Sequence, residues 1–333
     1  MKRLLFILIA LVFMGSSRAQ EGIPVYSDYL SDNLYLLHPS MAGAALANQI
    51  RLTARQQWFD VDDAPNLQTL SINGRVGDKV GLGGIAFADQ NGYFSQAGVY
   101  GTFAYHLLLS RNPIDLNQVS FGMSVGILQN SIDETAFAPG DPAISGGSLS
   151  DTFFNVDIGA SYYFLDFYAH ATVKNILPRE RALFNDIQEF ESTNQRRYIA
   201  SVGYVFGQYG STWSYEPSIM FQATDETKEA TIDGNIKVYK DFDDEVQLWG
   251  GLSYRRSFDG AEFTADGEEI RSQKLQYITP FLGVNYKDFI FAYTYSYQNN
   301  SVVFSNGGFH QITLGYDFNK RREKYQCNCP AIN

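Results

Sequence analysis

The sequence predicts an all-β protein: a single-domain, transmembrane, antiparallel outer-membrane β-barrel of about 14 strands. Three observations carry that expectation. The first is the stretch 289–297, FIFAYTYSY. Phe289, Phe291, Tyr293, Tyr295 and Tyr297 fall on one side of a period-two pattern and Ile290, Ala292, Thr294 and Ser296 on the other, because a strand sends alternate side chains to opposite faces. An aromatic wall backed by small uncharged residues suits lipid on one side. Its length is near the roughly 9–11 residues a tilted strand needs to cross a bilayer. The second observation is bulk composition. After its first residues the 333-residue chain has no apolar run long enough for a membrane-spanning helix, which needs about 18. A hydrophobic content of 45% with a mean hydropathy of -0.20 is what results when lumenal polar residues offset lipid-facing ones. The third is the sorting of short and long connections onto opposite ends.

Taken in order, residues 1–19 read as a secretory signal. Lys2 and Arg3 form the basic start, 4–14 the apolar core, and Ser17-Arg18-Ala19 the small-residue cleavage site. The core is too short for an anchor, and no cysteine near the cut suggests a lipoprotein. Residues 20–49 are polar and proline-marked with little alternation, which places them in the periplasm or inside the lumen.

The barrel is expected over 50–318. In 50–59, Ile50, Leu52, Ala54 and Trp58 alternate with Arg51, Thr53, Arg55 and Gln57. In 66–75, Leu70 and Ile72 alternate with Thr69, Ser71, Asn73 and Arg75. Further strands are expected near 80–90, 95–107, 116–130, 153–164, 167–176, 196–206, 212–224, 230–240, 246–258, 273–286, 289–298 and 308–318. The total is even, as a barrel with both termini on one side requires. Short connections fall at 77–79, 110–113, 165–166, 207–210, 241–244 and 287–288; the opposite set holds 131–152, 177–195, 259–272 and 299–307. The last strand sets Ile312, Leu314, Tyr316 and Phe318 on one face, suited to closing the sheet. Lys320, Arg321 and Arg322 then open a charged tail, 319–333, which cannot enter lipid and is expected in the periplasm.

Little in the sequence points to catalysis. His38, His106, His170 and His310 are isolated, with no HExxH spacing and no GxSxG. Gly81-Leu82-Gly83-Gly84 lacks the Lys-Ser/Thr of a phosphate cradle and sits in a strand, where glycine gives room for curvature or close packing. Asp60, Asp62 and Asp63 lack EF-hand spacing and read as a solvated turn or a calcium site. Cys327 and Cys329, the only two cysteines, can neither staple a core nor supply a zinc site by themselves. No cofactor is expected. A formal charge of -11 argues against nucleic acid as a partner. Arg51, Arg55, Gln57 and Arg75 are expected to face the lumen, where the arginines either select anions in a pore or pair with acidic groups and fill it.

The N-terminal stretch is more specific. Pro24-Val25-Tyr26-Ser27-Asp28-Tyr29, then Asn33, then His38-Pro39-Ser40-Met41-Ala42-Gly43 resembles the opening of the PorP/SprF family, outer-membrane proteins of the type IX secretion and gliding machinery. The family pattern runs P-x-Y-S-Q-Y, an Asn, then N-P-A-Y-A-G. Asp28, His38, Ser40 and Met41 replace Gln, Asn, Ala and Tyr. Arg55-Gln56-Gln57-Trp58 with Ala64-Pro65, Gly81 to Ile85 with Asp89 and Gly92, and Ser120-Phe121-Gly122 continue the likeness. So do Phe154-Asn155, Asn175, Gly203-Tyr204, Glu216-Pro217-Ser218 and Phe309-His310, in the family's order across nearly the whole mature chain.

The resemblance implies a non-enzymatic component that helps export, or hold at the surface, cargo with a C-terminal sorting domain. Periplasmic lipoprotein or ring components would be its other partners. On that reading Pro24, Tyr26, Ser27, Tyr29, Asn33, Pro39, Ala42 and Gly43 form a partner-docking motif, and Lys320, Arg321, Arg322, Cys327 and Cys329 belong to a periplasmic tail. Arg179, Arg181, Asp186, Glu189 and Glu191 are either an external interface or a solvated loop. The alternative is a porin-like channel or transporter for small solutes.

Overall fold

The computed structural model describes residues 28–57, 64–110, 115–135, 137, 146–177, 195–207, 211–225, 227–242, 245–265, 269–299 and 308–321. Three short 3-10 helices come first: η1 (Asp28–Ser31), η2 (Leu34–Leu36) and η3 (Pro39–Met41). Fourteen strands follow among the described residues: β1 (Asn48–Gln57), β2 (Asn66–Val76), β3 (Val80–Asn91), β4 (Phe94–Leu108), β5 (Asn117–Asp133), β6 (Ser148–Phe164) and β7 (Phe167–Lys174), then β8 (Arg197–Tyr204), β9 (Trp213–Thr224), β10 (Ala230–Asp241), β11 (Val246–Ala265), β12 (Glu269–Tyr286), β13 (Phe289–Gln298) and β14 (Phe309–Phe318). Each pairs antiparallel with its neighbour in sequence, and β1 closes on β14 in the register Asn48↔Phe318 to Gln57↔Phe309. Closure leaves no unpaired edge for lipid to meet, which is the condition for a sheet to cross a membrane.

The alternation read from the sequence sets the two faces. Leu52, Leu70 and Ile72 keep 47%, 47% and 48% of their surface exposed, while Arg51 and Thr53 keep 2% and 1%. That inversion, apolar out and polar in, marks the outer surface as lipid-facing. Phe289, Phe291 and Tyr297 lie on the outer face, and Ile290, Ala292 and Thr294 are buried inward, as expected of that strand.

Two connections differ from expectation. The loop at 259–272 is mostly strand: β11 and β12 pair out to Ala265↔Glu269, with a register shift between Arg256 and Gly260. At roughly 3.3 Å per residue these strands outrun the hydrocarbon layer, so their ends stand in water, where charged residues cost a strand little. The loop at 131–152 is shortened likewise, because β5 runs on to Asp133 and β6 starts at Ser148.

The interior corrects a second expectation. It is not uniformly polar. Phe87, Tyr100, Leu128 and Phe153 on one side, and Met220, Trp249 and Phe281 on the other, are buried inward-facing side chains. Between them lies the segment 28–47, neither in the periplasm nor a separate layer but inside the barrel. Tyr35, Leu36 and Met41 pack on the first wall, Tyr29, Leu30 and Leu37 on the second, and Leu34 touches both. Each large apolar side chain so buried contributes roughly 1.5–3 kcal/mol.

Candidate functional site: the filled lumen

The inserted segment is held by contacts that reach strands all round the wall. At its junction with β1 the chain passes so close to β2 and β3 that only glycine fits. Gly43 has φ +65, and a Cβ there would stand 2.6 Å from the Gly74 carbonyl oxygen. Gly81 and Gly122 are inward positions where any side chain would enter the backbone of Ala42 and of Pro39-Ser40 respectively. The glycines singled out in the sequence at 81 and 83 therefore make space for the insert: Gly83 lies under the Tyr35 hydroxyl.

Several wall side chains grip main-chain atoms. Arg75 donates from Nε to the Gly43 carbonyl at 2.7 Å and from Nη2 to that of Ala44 at 3.3 Å. Asn73 Oδ1 accepts from the Gly43 N–H at 2.9 Å. His106 Nε2 meets the Ala42 carbonyl at 3.0 Å, and its Nδ1 meets the Ser120 hydroxyl at 2.8 Å. A carbonyl only accepts, so Nε2 carries the proton and Ser120 donates to Nδ1. Lys174 Nζ donates to the Leu36 carbonyl at 2.9 Å.

Other contacts are made through the insert's own side chains. Tyr35 donates to Thr102 Oγ1 at 2.7 Å, and Asn33 to Ser71 Oγ at 3.3 Å. His38 stacks on His170 with ring centroids 4.7 Å apart, its nitrogens 2.8 Å from Thr172 Oγ1 and 3.2 Å from Ser201 Oγ. Ser40 meets Ser161, which also contacts His170. Burial holds the His38 imidazole well below its ordinary pKa, and the neighbouring His170 and Lys174 lower it further, so it is neutral. Burial likewise pushes the Tyr35 phenol up to about 12, keeping it a donor.

Two charged clusters complete the seat. Asp32 pairs with Lys237 at 2.5 Å, and that ammonium lies 3.9 Å over the Trp249 ring and 4.6 Å over Tyr239. Buried Glu216 accepts from Tyr239 at 2.6 Å and from Tyr168. Nearer the long-loop end, Tyr29 donates to Asp233 at 2.7 Å, and Arg255 holds the same carboxylate through Nε and Nη2, both at 2.7 Å.

The expected lumenal residues divide by role. Arg51 faces inward and pairs with Asp317 at 2.6 Å; Arg75 holds the insert; Arg55 lies 4.4 Å over the Phe309 ring. Gln57 ends β1 half-buried. Of the docking motif, Tyr29, Asn33, Pro39, Ala42 and Gly43 are buried in the barrel, so these residues seat the insert instead of offering a surface to a partner. Pro24, Tyr26 and Ser27 lie outside the described residues, as do Trp58, Asp60, Asp62, Asp63, Arg179, Arg181, Asp186, Glu189, Glu191, Arg322, Cys327 and Cys329. Lys320 bonds Asp288 at 2.8 Å and Arg321 donates to the Gly77 carbonyl at 2.9 Å, clamping the start of the tail to the short-turn rim.

Sequence reading missed Lys174 and Lys237, and named Glu216 only as part of a family motif, without a place in the lumen. The signal was present: a charge at an inward strand position in a membrane protein demands a partner. Asn155 and Asn175 form a further buried pair at 2.5 Å, with Asn175 also bonding the Gln195 carbonyl at 3.0 Å.

Solved structures share this architecture. The TodX deltaS2S3 mutant monoaromatic hydrocarbon channel superposes with a TM-score of 0.51 at 12% identity, over 86% of this chain and 94% of that one. A Pseudomonas aeruginosa FadL homologue gives 0.50 at 11% identity, over 91% and 97%. Such identities speak for the fold alone. No curated protein matches the chain. A family profile described as "Type IX secretion system membrane protein PorP/SprF" matches residues 18–316.

Proposed function

The chain belongs to the PorP/SprF family of type IX secretion system membrane proteins, and from that membership we propose a closed, non-enzymatic barrel of the outer membrane. It assists the secretion or surface anchoring of cargo that carries a C-terminal sorting domain. Residues 1–19 direct its export. The short-turn end, with Lys320 and Arg321 on its rim and the tail beyond, faces the periplasm and meets lipoprotein or ring components of the machine. The long-loop end faces outward, and Arg179, Arg181, Asp186, Glu189 and Glu191 enter the proposal from sequence alone as its cargo-facing loop.

The observation that carries this reading is the filled lumen. A segment seated by Arg75, His106, Lys174 and Lys237 supports a scaffold over a pore for free diffusion. Deleting the gene and following every sorting-domain cargo tests it. Loss of secretion or of surface attachment of particular cargo, restored by the wild-type gene, is expected. Every cargo still secreted and anchored overturns the role.

A small-solute channel is the second reading, favoured by the likeness of fold to proteins described as channels. Reconstitution of the full-length barrel in a planar bilayer separates the two, since a large steady conductance belongs to the channel.

A further inference from the structure

The inserted segment has a direction. Its later part lies at the short-turn end. Gly43 and Ala44 are held by Arg75, next to the last residue of β2, and Ala42 lies against Gly81, next to the first residue of β3. Beyond them the Leu46 carbonyl accepts from the Arg321 N–H at 3.0 Å, where the tail is clamped to the rim. Toward the start of the segment its partners climb the wall. Pro39 packs on Gly122 and Gly159, part-way up β5 and β6. The Leu36 carbonyl accepts from Lys174, the last residue of β7. Ser31 Oγ accepts from Gln311 at 3.5 Å, and Tyr29 donates to Asp233, both wall residues close to the long-loop ends of β14 and β10. Tyr29 and Leu30 face Arg55, Ser296 and Phe309 across a small cavity.

Phe309 opens β14, and Arg55 and Ser296 stand two residues short of the ends of β1 and β13. At about 3.3 Å per residue, Tyr29 therefore lies within roughly 7 Å of the long-loop mouth on that side. Toward the short-turn end, among the described residues, the lumen is occupied by the rest of the same segment, whose apolar side chains pack on both walls. The chain that leads into Asp28 reaches this position most directly through the long-loop mouth. Residues 20–27 have ample length for it, since eight extended residues span up to about 28 Å.

We propose that the segment is threaded through the barrel from outside inward, so that the chain preceding Asp28 leaves by the long-loop mouth and is displayed on the outer surface of the cell. Pro24, Tyr26 and Ser27 of the expected docking motif then meet a polypeptide partner outside the cell and not in the periplasm. The direction of threading stands on the contacts of 28–47. Its display outside rests on the outward-facing long-loop end proposed above, and the two are tested apart.

The test labels single cysteines with a polyethylene-glycol maleimide too large to cross the outer membrane, in intact cells and after permeabilisation. The full-length chain carries Cys327→Ser and Cys329→Ser, and heat-modifiable electrophoretic mobility checks that each variant is folded. Gly22→Cys reads the upstream chain, Glu229→Cys an exposed connection at the long-loop end, Asp78→Cys an exposed short turn, and Ser40→Cys the buried interior. Gly22→Cys should label in intact cells as fully as Glu229→Cys, Asp78→Cys only after permeabilisation, and Ser40→Cys in neither. Protection of Gly22→Cys while Glu229→Cys labels overturns the proposal, and so does labelling of Ser40→Cys in intact cells, which would put the segment outside the lumen. Labelling of Asp78→Cys without Glu229→Cys in intact cells overturns the orientation and the external display with it; the threading then holds if Gly22→Cys still follows Glu229→Cys and fails if it follows Asp78→Cys. Should Gly22→Cys fail to fold, a short epitope tag inserted after Glu21 replaces it. Antibody binding to intact cells is expected, and binding only after permeabilisation overturns the proposal.

Discussion

Lys237→Met tests whether charge holds the insert. The ammonium is 6% exposed as a residue, pairs with Asp32 at 2.5 Å and faces the Trp249 and Tyr239 rings. Methionine keeps the apolar stem and some ring contact but removes the charge. Breaking a buried pair by removing one partner costs roughly 3–5 kcal/mol. The Asp32 side chain is 24% exposed, and water reaching it reduces that figure. Losing the cation–π contact adds about 1 kcal/mol. The net expectation is about 3 kcal/mol in favour of the displaced segment, on the order of a hundredfold in its population at 1.4 kcal/mol per decade.

Hydrogen exchange of the peptide covering 28–47, in detergent or nanodiscs, reads this directly. Its protection should fall about a hundredfold while the strand amides stay as they were. In a planar bilayer the same variant should show longer or more frequent openings. The double variant Lys237→Met with Asp32→Asn should recover part of the loss, since the Asp32 carboxylate is then no longer left without its ammonium; Glu216, which also faces Lys237, keeps the recovery from being complete. Unchanged protection of 28–47 in Lys237→Met, with the barrel folded, would show that apolar packing alone seats the segment.

Gly122→Leu should drive the Pro39-Ser40 backbone from the wall and raise bilayer conductance without abolishing the folded barrel's mobility shift. Acid should loosen the segment. His38 is neutral when seated, so the displaced form gains a proton first as pH falls below about 6.5, and seating weakens progressively toward the lower pKa of the seated form. Hydrogen exchange of 28–47 at pH 7.5 and 5.0 reads this, and His38→Gln should flatten that part of the dependence; a parent indifferent to pH removes the argument. Leu70→Arg, on the lipid face, should cost roughly 2–4 kcal/mol near the bilayer centre, measured by reversible unfolding into urea. A null effect there would contradict the assigned outer surface.

The barrel was legible because period-two alternation is local: each of the expected strands coincides with an observed one, and the two faces follow from parity alone. The insert was only half legible. Residues 20–49 carry no regular period, and the alternative of periplasm or lumen turns on whether inward wall positions leave room and partners. That information is scattered over distant strands, at Gly81 and Gly122, Arg75 and His106, Lys174 and Lys237. Parity hides it too. Phe87 faces the insert and Leu82 faces lipid, on the same strand, and hydrophobicity does not say which side of the wall is which. The length of β11 and β12 was missed because charge was read as loop, whereas a hairpin standing clear of the bilayer can be charged and still paired.

The seat combines two kinds of recognition with different consequences. Arg75, His106 and Lys174 bond to carbonyl oxygens of Gly43, Ala44, Ala42 and Leu36, which are present whatever side chains the insert carries. These contacts fix the path of the chain through the lumen. Tyr29, Asp32, Tyr35 and His38 bond through side chains to β10, β4, β7 and β8, and those contacts select this particular insert. Substituting the second group should weaken seating while the path persists, since the main-chain grips and the Gly43 turn remain. Substituting Arg75 or His106 should instead leave a buried carbonyl without its donor, at about 1–3 kcal/mol each, and release the segment first at its junction with β1. Exchange that begins at 42–44 in Arg75→Leu, but at 29–38 in Tyr35→Phe, would follow from this division; the same order in both variants would dissolve it.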